Sequence, residues 1–238
     1  MYLLDNRLGP ITFVIGFLKS PLSVVADAAV AWMKSNGFTA EADSVDASLE
    51  DALRRLEPLT PGHDRILWLQ TQSPWVAYFD NGFRGSDPGS PVAHLSRTLK
   101  CWGLIVWCVP HTYSRKLTDN RWLYGEVQFW LFRPEPRPGE ILNFERTISA
   151  MYDVNGWTFE QSGAIQPYEE PERYRARKVV DRFTPEMLNR YCAALGIRLF
   201  DPAFYGPKGV LIDNSSRLAR ESPCLSLAAA RYQLGLEP

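Results

Sequence analysis

Three stretches of this chain open on a hydroxyl residue followed by proline and close on a glycine. They are Ser20-Pro21 to Gly37, Ser90-Pro91 to Gly103 and Thr184-Pro185 to Gly196. A hydroxyl at the N-cap satisfies a backbone amide that has no partner inside the helix. Proline at the first helical position gives up an amide that would be unpaired anyway, and glycine past the end takes the left-handed turn that stops the helix. The pattern predicts helices over residues 20–37, 90–103 and 184–196. In the first, Leu22, Val25, Ala29 and Trp32 recur on one face, as an amphipathic helix requires. A fourth, SLEDALRRLEP, starts at Ser48 with Asp51 in the capping-box position and stops before Pro58.

Between these helices lie strand-like runs at 11–15, 66–70, 75–79, 104–109, 124–132, 146–152 and 157–161. The last two flank Asn155-Gly156, a dipeptide suited to a tight hairpin turn. RPEPRPGE, after the 124–132 run, carries three prolines that cannot continue a ladder, so it reads as a surface loop. Helices, then hairpins, then a helix give an α+β fold, with a largely antiparallel sheet covered on one face. Residues 1–200 read as a single domain. Residues 201–238 alternate turn residues with short apolar pieces and read as an irregular extension wrapping it, closed by a short helix in SLAAARYQL.

The 238 residues are 45% hydrophobic and include 8 Trp, 10 Tyr and 12 Phe, enough to bury a substantial core. A net charge of -1, with lysine and arginine dispersed, lacks the basic face that phosphate neutralisation demands, which argues against nucleic acid as a partner. No apolar run reaches the roughly 18 residues of a membrane span. The segment GPITFVIGFLKSP is broken by Gly16 and Lys19 and reads as a buried strand rather than a signal sequence. Cys101, Cys108, Cys192 and Cys224 show no paired spacing, so we expect free thiols and a cytoplasmic protein.

Sequence motifs for chemistry are sparse. Cys108-x-x-His111 is one ligand pair where a structural zinc site needs two, and His63 and His94 are isolated. No phosphate-binding or dinucleotide motif occurs, and the spacing around Asp80 and Asn81 fails that of a calcium loop. We therefore expect no cofactor and no metal. The most site-like segment is WVAYFDNGFRGSDP, residues 75–88. Turn chemistry accounts for Asn81, Gly82 and Gly85 but not for Phe83, Arg84 and Asp87, which suit a protein-contact loop. Residues 80–87 are accordingly the expected contact region: Asp80, Asn81, Phe83, Arg84 and Asp87. The acidic run Glu169, Glu170 and Glu172 is the second choice, a charged face able to meet a basic partner.

The run from WVAYFDNGFRGSDPGSPVAHLSRTLKCWGL through YGEVQFWLF to LNFERTISAMYDVNGWTFEQSGAIQPYEEPERYRARKVVDRFTPEMLNRYCAALGIRLFDPAFY, about residues 65–205, resembles uncharacterised bacterial proteins of polymorphic-toxin and secretion-effector loci. The resemblance implies an immunity protein: a stable, non-catalytic scaffold that neutralises a cognate toxin by direct binding. It carries over no active-site residue. Two alternatives stand beside it. One is a hydrolase or transferase with a site assembled from Asp80, Arg84, Asp87, His94 and His111. The other is an assembly protein with a self-complementary apolar surface.

Overall fold

A computed structural model describes residues 1–114, 121–214 and 223–236. Its strands are β1 (Val14–Leu18), β2 (Glu41–Asp46), β3 (Arg65–Thr71), β4 (Val76–Asp80), β5 (Gly103–Val109), β6 (Glu126–Phe132), β7 (Phe144–Asp153), β8 (Gly156–Gly163) and β9 (Tyr205–Asp213). The helices are α1 (Leu22–Ser35), α2 (Leu49–Arg54), α3 (Gly89–Thr98), α4 (Pro185–Ala194) and α5 (Leu227–Gln233). The strands join in one antiparallel sheet, in the order β2-β9-β3-β4-β1-β5-β6-β7-β8. The α+β class is as the order of elements predicts.

The expectation of one covered face needs correction, because helices pack on both. β1 and β4 are buried along their whole length, so their continuous apolar sequences serve two cores at once. On one face Phe17, Leu67, Phe79, Leu104, Phe129 and Ile148 share a core with side chains of α2, α4 and α5. On the other, Leu18, Trp68, Tyr78 and Ile105 pack with Val25 and Ala29 of α1 and with Val92 and Leu95 of α3. This second layer is narrower. α1 lies against β2, β9 and β3, and α3 lies against β1 and β5.

Two strands were missing from the expected list. β2 has the sequence EADSVD and buries only Val45, so it has no apolar alternation to read. As an edge strand it is guarded by acidic side chains. β9 corrects the reading of residues 201–238 as a peripheral wrap, since it is inserted between β2 and β3. Its glycines and Pro207 disguise it. The β3 register shifts between Leu69 and Thr71, and Pro207 falls within that irregularity, where a missing amide does little harm.

The capping pattern holds in part. Thr184 accepts from the Met187 amide, Ser48 from Asp51 and Ser226 from Ala229, and Gly37 and Gly196 take positive φ as helix stops. Ser20 caps nothing, because α1 begins after Pro21. Likewise α3 begins one residue before Ser90, and Lys100 rather than Gly103 takes the left-handed backbone after it. In the β7–β8 hairpin Asp153 pairs with Gly156, so Val154 and Asn155 form the turn. Gly156, at φ +118, opens β8 rather than sharing the turn with Asn155 as expected.

A buried ion pair fastens the far end of the sheet. Arg146 of β7 reaches Glu169 with two parallel bonds, Nε to Oε1 at 2.8 Å and Nη2 to Oε2 at 2.7 Å, and the two side chains are 1% and 0% exposed. Tyr174 donates to Glu169 at 2.7 Å, and the Tyr174 and Tyr191 hydroxyls lie 3.0 Å apart, which links the pair to α4. Arg146 also donates to the carbonyls of Ser162 and Gly163, so its donors are well used. Such a pair is costly to half-remove. Glu169→Ala leaves a buried cation unpaired and should cost about 3–5 kcal/mol of unfolding free energy in urea titration. A loss below about 1 kcal/mol, the range of exposed pairs, would contradict this assignment.

Candidate interaction face on the open end of the sheet

The loop at residues 80–87 is chiefly structural. Asp80 is fully buried, and its carboxylate accepts from the Tyr78 hydroxyl at 2.8 Å and from the amides of Gly82 and Asp87 at 2.9 and 2.7 Å. Its Oδ1 also lies 2.7 Å from His63 Nδ1. Asn81, 1% exposed, accepts from the Arg65 amide and donates to the Pro58 carbonyl. A Cβ at residue 82 would sit 2.3 Å from the His63 ring, so glycine there makes room for the histidine. Phe83 is half-buried against the α4-side core rather than projecting, and the exposed Asp87 accepts from the Gly89 amide at the start of α3. Asp80 and Asn81 are thus unavailable to a partner. Arg84 remains as an exposed side chain.

The acidic run divides in the same way. Glu169 is the buried partner of Arg146, Glu170 pairs with Arg190 at 2.6 Å, and Glu172 is exposed. The dispersed enzymatic set is not assembled either. Asp80 and Asp87 are neighbours, but His94 stacks on Trp32 at 4.8 Å between α3 and α1. His111 accepts from the Gly125 amide and packs on Tyr152 at 4.4 Å, in an aromatic group beside the β7–β8 hairpin. No motif in the sequence singles out His63, yet its pairing with Asp80 orients the ring as a general base would be. The hydroxyls nearby are engaged, however, with Thr60 donating to Asp64 and Ser86 to the Ile11 carbonyl. Among the described residues no three His, Cys, Asp or Glu side chains gather as metal ligands would.

The larger feature lies where the α1/α3 layer ends. On that face β6 presents Glu126, Gln128 and Trp130, and β7 presents Thr147, Ser149 and Met151. By register β8 adds Thr158, Glu160 and Ser162, while β5 sets Trp107 opposite Gln128. These strands floor a groove of about 1030 Å³. The Trp107 and Trp130 rings meet at 4.6 Å, and Phe144 stands edge-on to Trp130 at 5.5 Å. The proline-rich loop forms one wall and exposes Ile141 and Leu142. It is pinned by Arg133, which bonds Glu140 at 2.6 Å and Glu145 at 3.2 Å, and by Arg97, which holds the Ile141 carbonyl.

Polar groups on this face are incompletely matched. Ser149 Oγ is buried without a hydrogen-bond partner among the described residues. Burial raises the pKa of Glu126, only partly offset by the Gln128 amide that donates to it at 2.6 Å. No ion pair joins Glu126 or Glu160 to a basic group among the described residues. The sequence signal for this face is the polar alternation of Thr147 and Ser149 in β7 and of Thr158, Glu160 and Ser162 in β8. It marks strands with one uncovered face.

The His63–Asp80 pair gives a pH signature. Burial lowers the His63 pKa, but the hydrogen bond and charge of Asp80, with Asp87 and Asp64 nearby, outweigh it and hold it above the ordinary value. The pair therefore stabilises the fold below the unfolded value of about 6.5, and its contribution fades as pH rises through the folded value. His63→Gln should lose more stability in urea at about pH 5.5 than at about pH 8. An equal loss at both would contradict the charged pairing.

The chain matches no family model, and it has no significant match among curated proteins or solved structures, so its role has to be read from the residues described above.

Proposed function

We propose that this protein is a non-catalytic binding module that engages another protein through the open face of β5–β8. The observation that carries this reading is the Trp107–Trp130 platform flanked by Glu126 and Glu160, carboxylates without a basic partner among the described residues. Tryptophans in the centre of a contact supply area at low entropic cost and accept cations on their faces. A desolvated carboxylate gains most from an incoming cation. The occupant is therefore a protein segment carrying lysine or arginine beside apolar residues. Neutralisation of a toxin with a basic cleft is the specific form suggested by the resemblance over residues 65–205, and a cytoplasmic location goes with that form. No helix among the described residues is long and apolar enough to cross a membrane.

The test is a photo-crosslinking residue at Thr158, installed in cells that make the protein naturally. The expected result is one captured protein, joined through a Lys- or Arg-containing peptide. Capture should fall at least tenfold on Glu160→Lys while the melting temperature stays within about 1 °C, as for other surface substitutions. With the partner in hand, affinity should rise as pH increases through the Glu126 range, because binding favours its charged form, and Glu126→Gln should flatten that rise. Capture through residues 80–87 instead, or capture indifferent to Glu160→Lys, would overturn the proposal.

A further inference from the structure

The register of the central strands creates a second, chemically different site. Leu18 pairs with both Val76 of β4 and Gly103 of β5. The next residue outward on each strand is therefore Lys19, Trp75 and Trp102, and they emerge side by side at one end of the sheet. The Lys19 amide donates to the Trp102 carbonyl at 2.9 Å, and its ammonium lies 5.9 Å from the centre of the Trp75 ring. Trp75 is held by a 3.0 Å bond from its Nε1 to the Leu195 carbonyl at the end of α4, whereas Trp102 is 37% exposed.

These three residues border two adjoining spaces. The inner one, about 280 Å³, is closed by Leu195, Gln166 and Tyr168. The outer one, about 810 Å³, runs past Gln70, Ser20 and Lys100 to solvent. No carboxylate among the described residues lines either space. Lys19 makes no ion pair among the described residues, and Lys100 is paired with Glu135 at 3.0 Å. The Tyr168 hydroxyl is buried and has no hydrogen-bond partner among the described residues.

We infer that this cleft binds a small aromatic carboxylate, with its anion on the Lys19 ammonium and its ring against Trp102. An ammonium with no paired carboxylate among the described residues, in a cleft lined by none, selects an acceptor-rich anion, and aromatic walls select a planar body. The inner volume suits a single or fused ring, at the small end of ligand pockets of about 300–1,000 Å³. The site lies at the Gly103 end of β5, whereas Glu126 pairs with Val109 at its other end, and it does not depend on the protein-binding role of the open face.

The probes are indole-3-acetate and its uncharged analogue indole-3-ethanol, titrated calorimetrically into the whole 238-residue chain. The acid should bind once per chain and at least tenfold more tightly than the alcohol. Lys19→Met should erase that difference, since Lys19 is exposed and its loss leaves the fold intact. The inference fails if the acid does not saturate with a dissociation constant below about 1 mM. It fails equally if acid and alcohol bind alike, or if Lys19→Met leaves the acid's affinity unchanged.

Discussion

The width of the sheet governs everything else in this molecule. Nine strands about 4.8 Å apart span roughly 38 Å, while a packed helix covers only about 10–12 Å, or two to three strands. α1 and α3 are the two helices on their face among the described residues; α1 lies over β2, β9 and β3, and α3 over β1 and β5. Beyond the buried Phe132 they leave most of that face of β6, β7 and β8 uncovered. The opposite face has α2, α4, α5 and the segments around Tyr174 and Phe183 to close it. The open face thus follows from a shortage of helix on one side of a wide sheet, and its aromatic and acidic residues occupy the area that shortage exposes.

The two most conspicuous charged motifs turn out to be internal fastenings. Asp80 gathers Tyr78, His63 and two backbone amides to fix the turn that leads into α3. Glu169 and Arg146 tie β7 to the segment before α4. Each buried carboxylate is surrounded by donors, the condition under which a buried charge is tolerable. Motifs rich in Asp, Asn, Gly and Arg can signal function or can be the polar cost of a complicated turn. Burial separates the two, and burial is what a single sequence conceals.

What could be read in advance followed from local rules. Thr184 and Ser48 cap helices as their neighbours require, and β3 to β8 are apolar or alternating enough to be found. β2 and β9 escaped because their pairing is non-local. EADSVD is a strand only because β9 lies beside it, and YGPKGVLID is one only because β2 and β3 enclose it. The burial of Asp80 was hidden for a related reason, since nothing near it in sequence announces that His63, seventeen residues earlier, completes its set of partners. The open face was half legible. The polar alternation of β7 and β8 was present, but its meaning depends on how far α1 and α3 reach.

Hydroxyl-radical footprinting of the free protein tests that central claim directly. Met151, 37% exposed on β7, and Trp130 of β6 should oxidise well ahead of Met33, Met187 and Trp68, which are 5%, 1% and 0% exposed. This ordering would put the β6–β8 face in solvent, available to a partner. If Met151 and Trp130 were as protected as Met33 and Trp68, the face would be covered in the free protein, and the account of an open binding surface would be wrong.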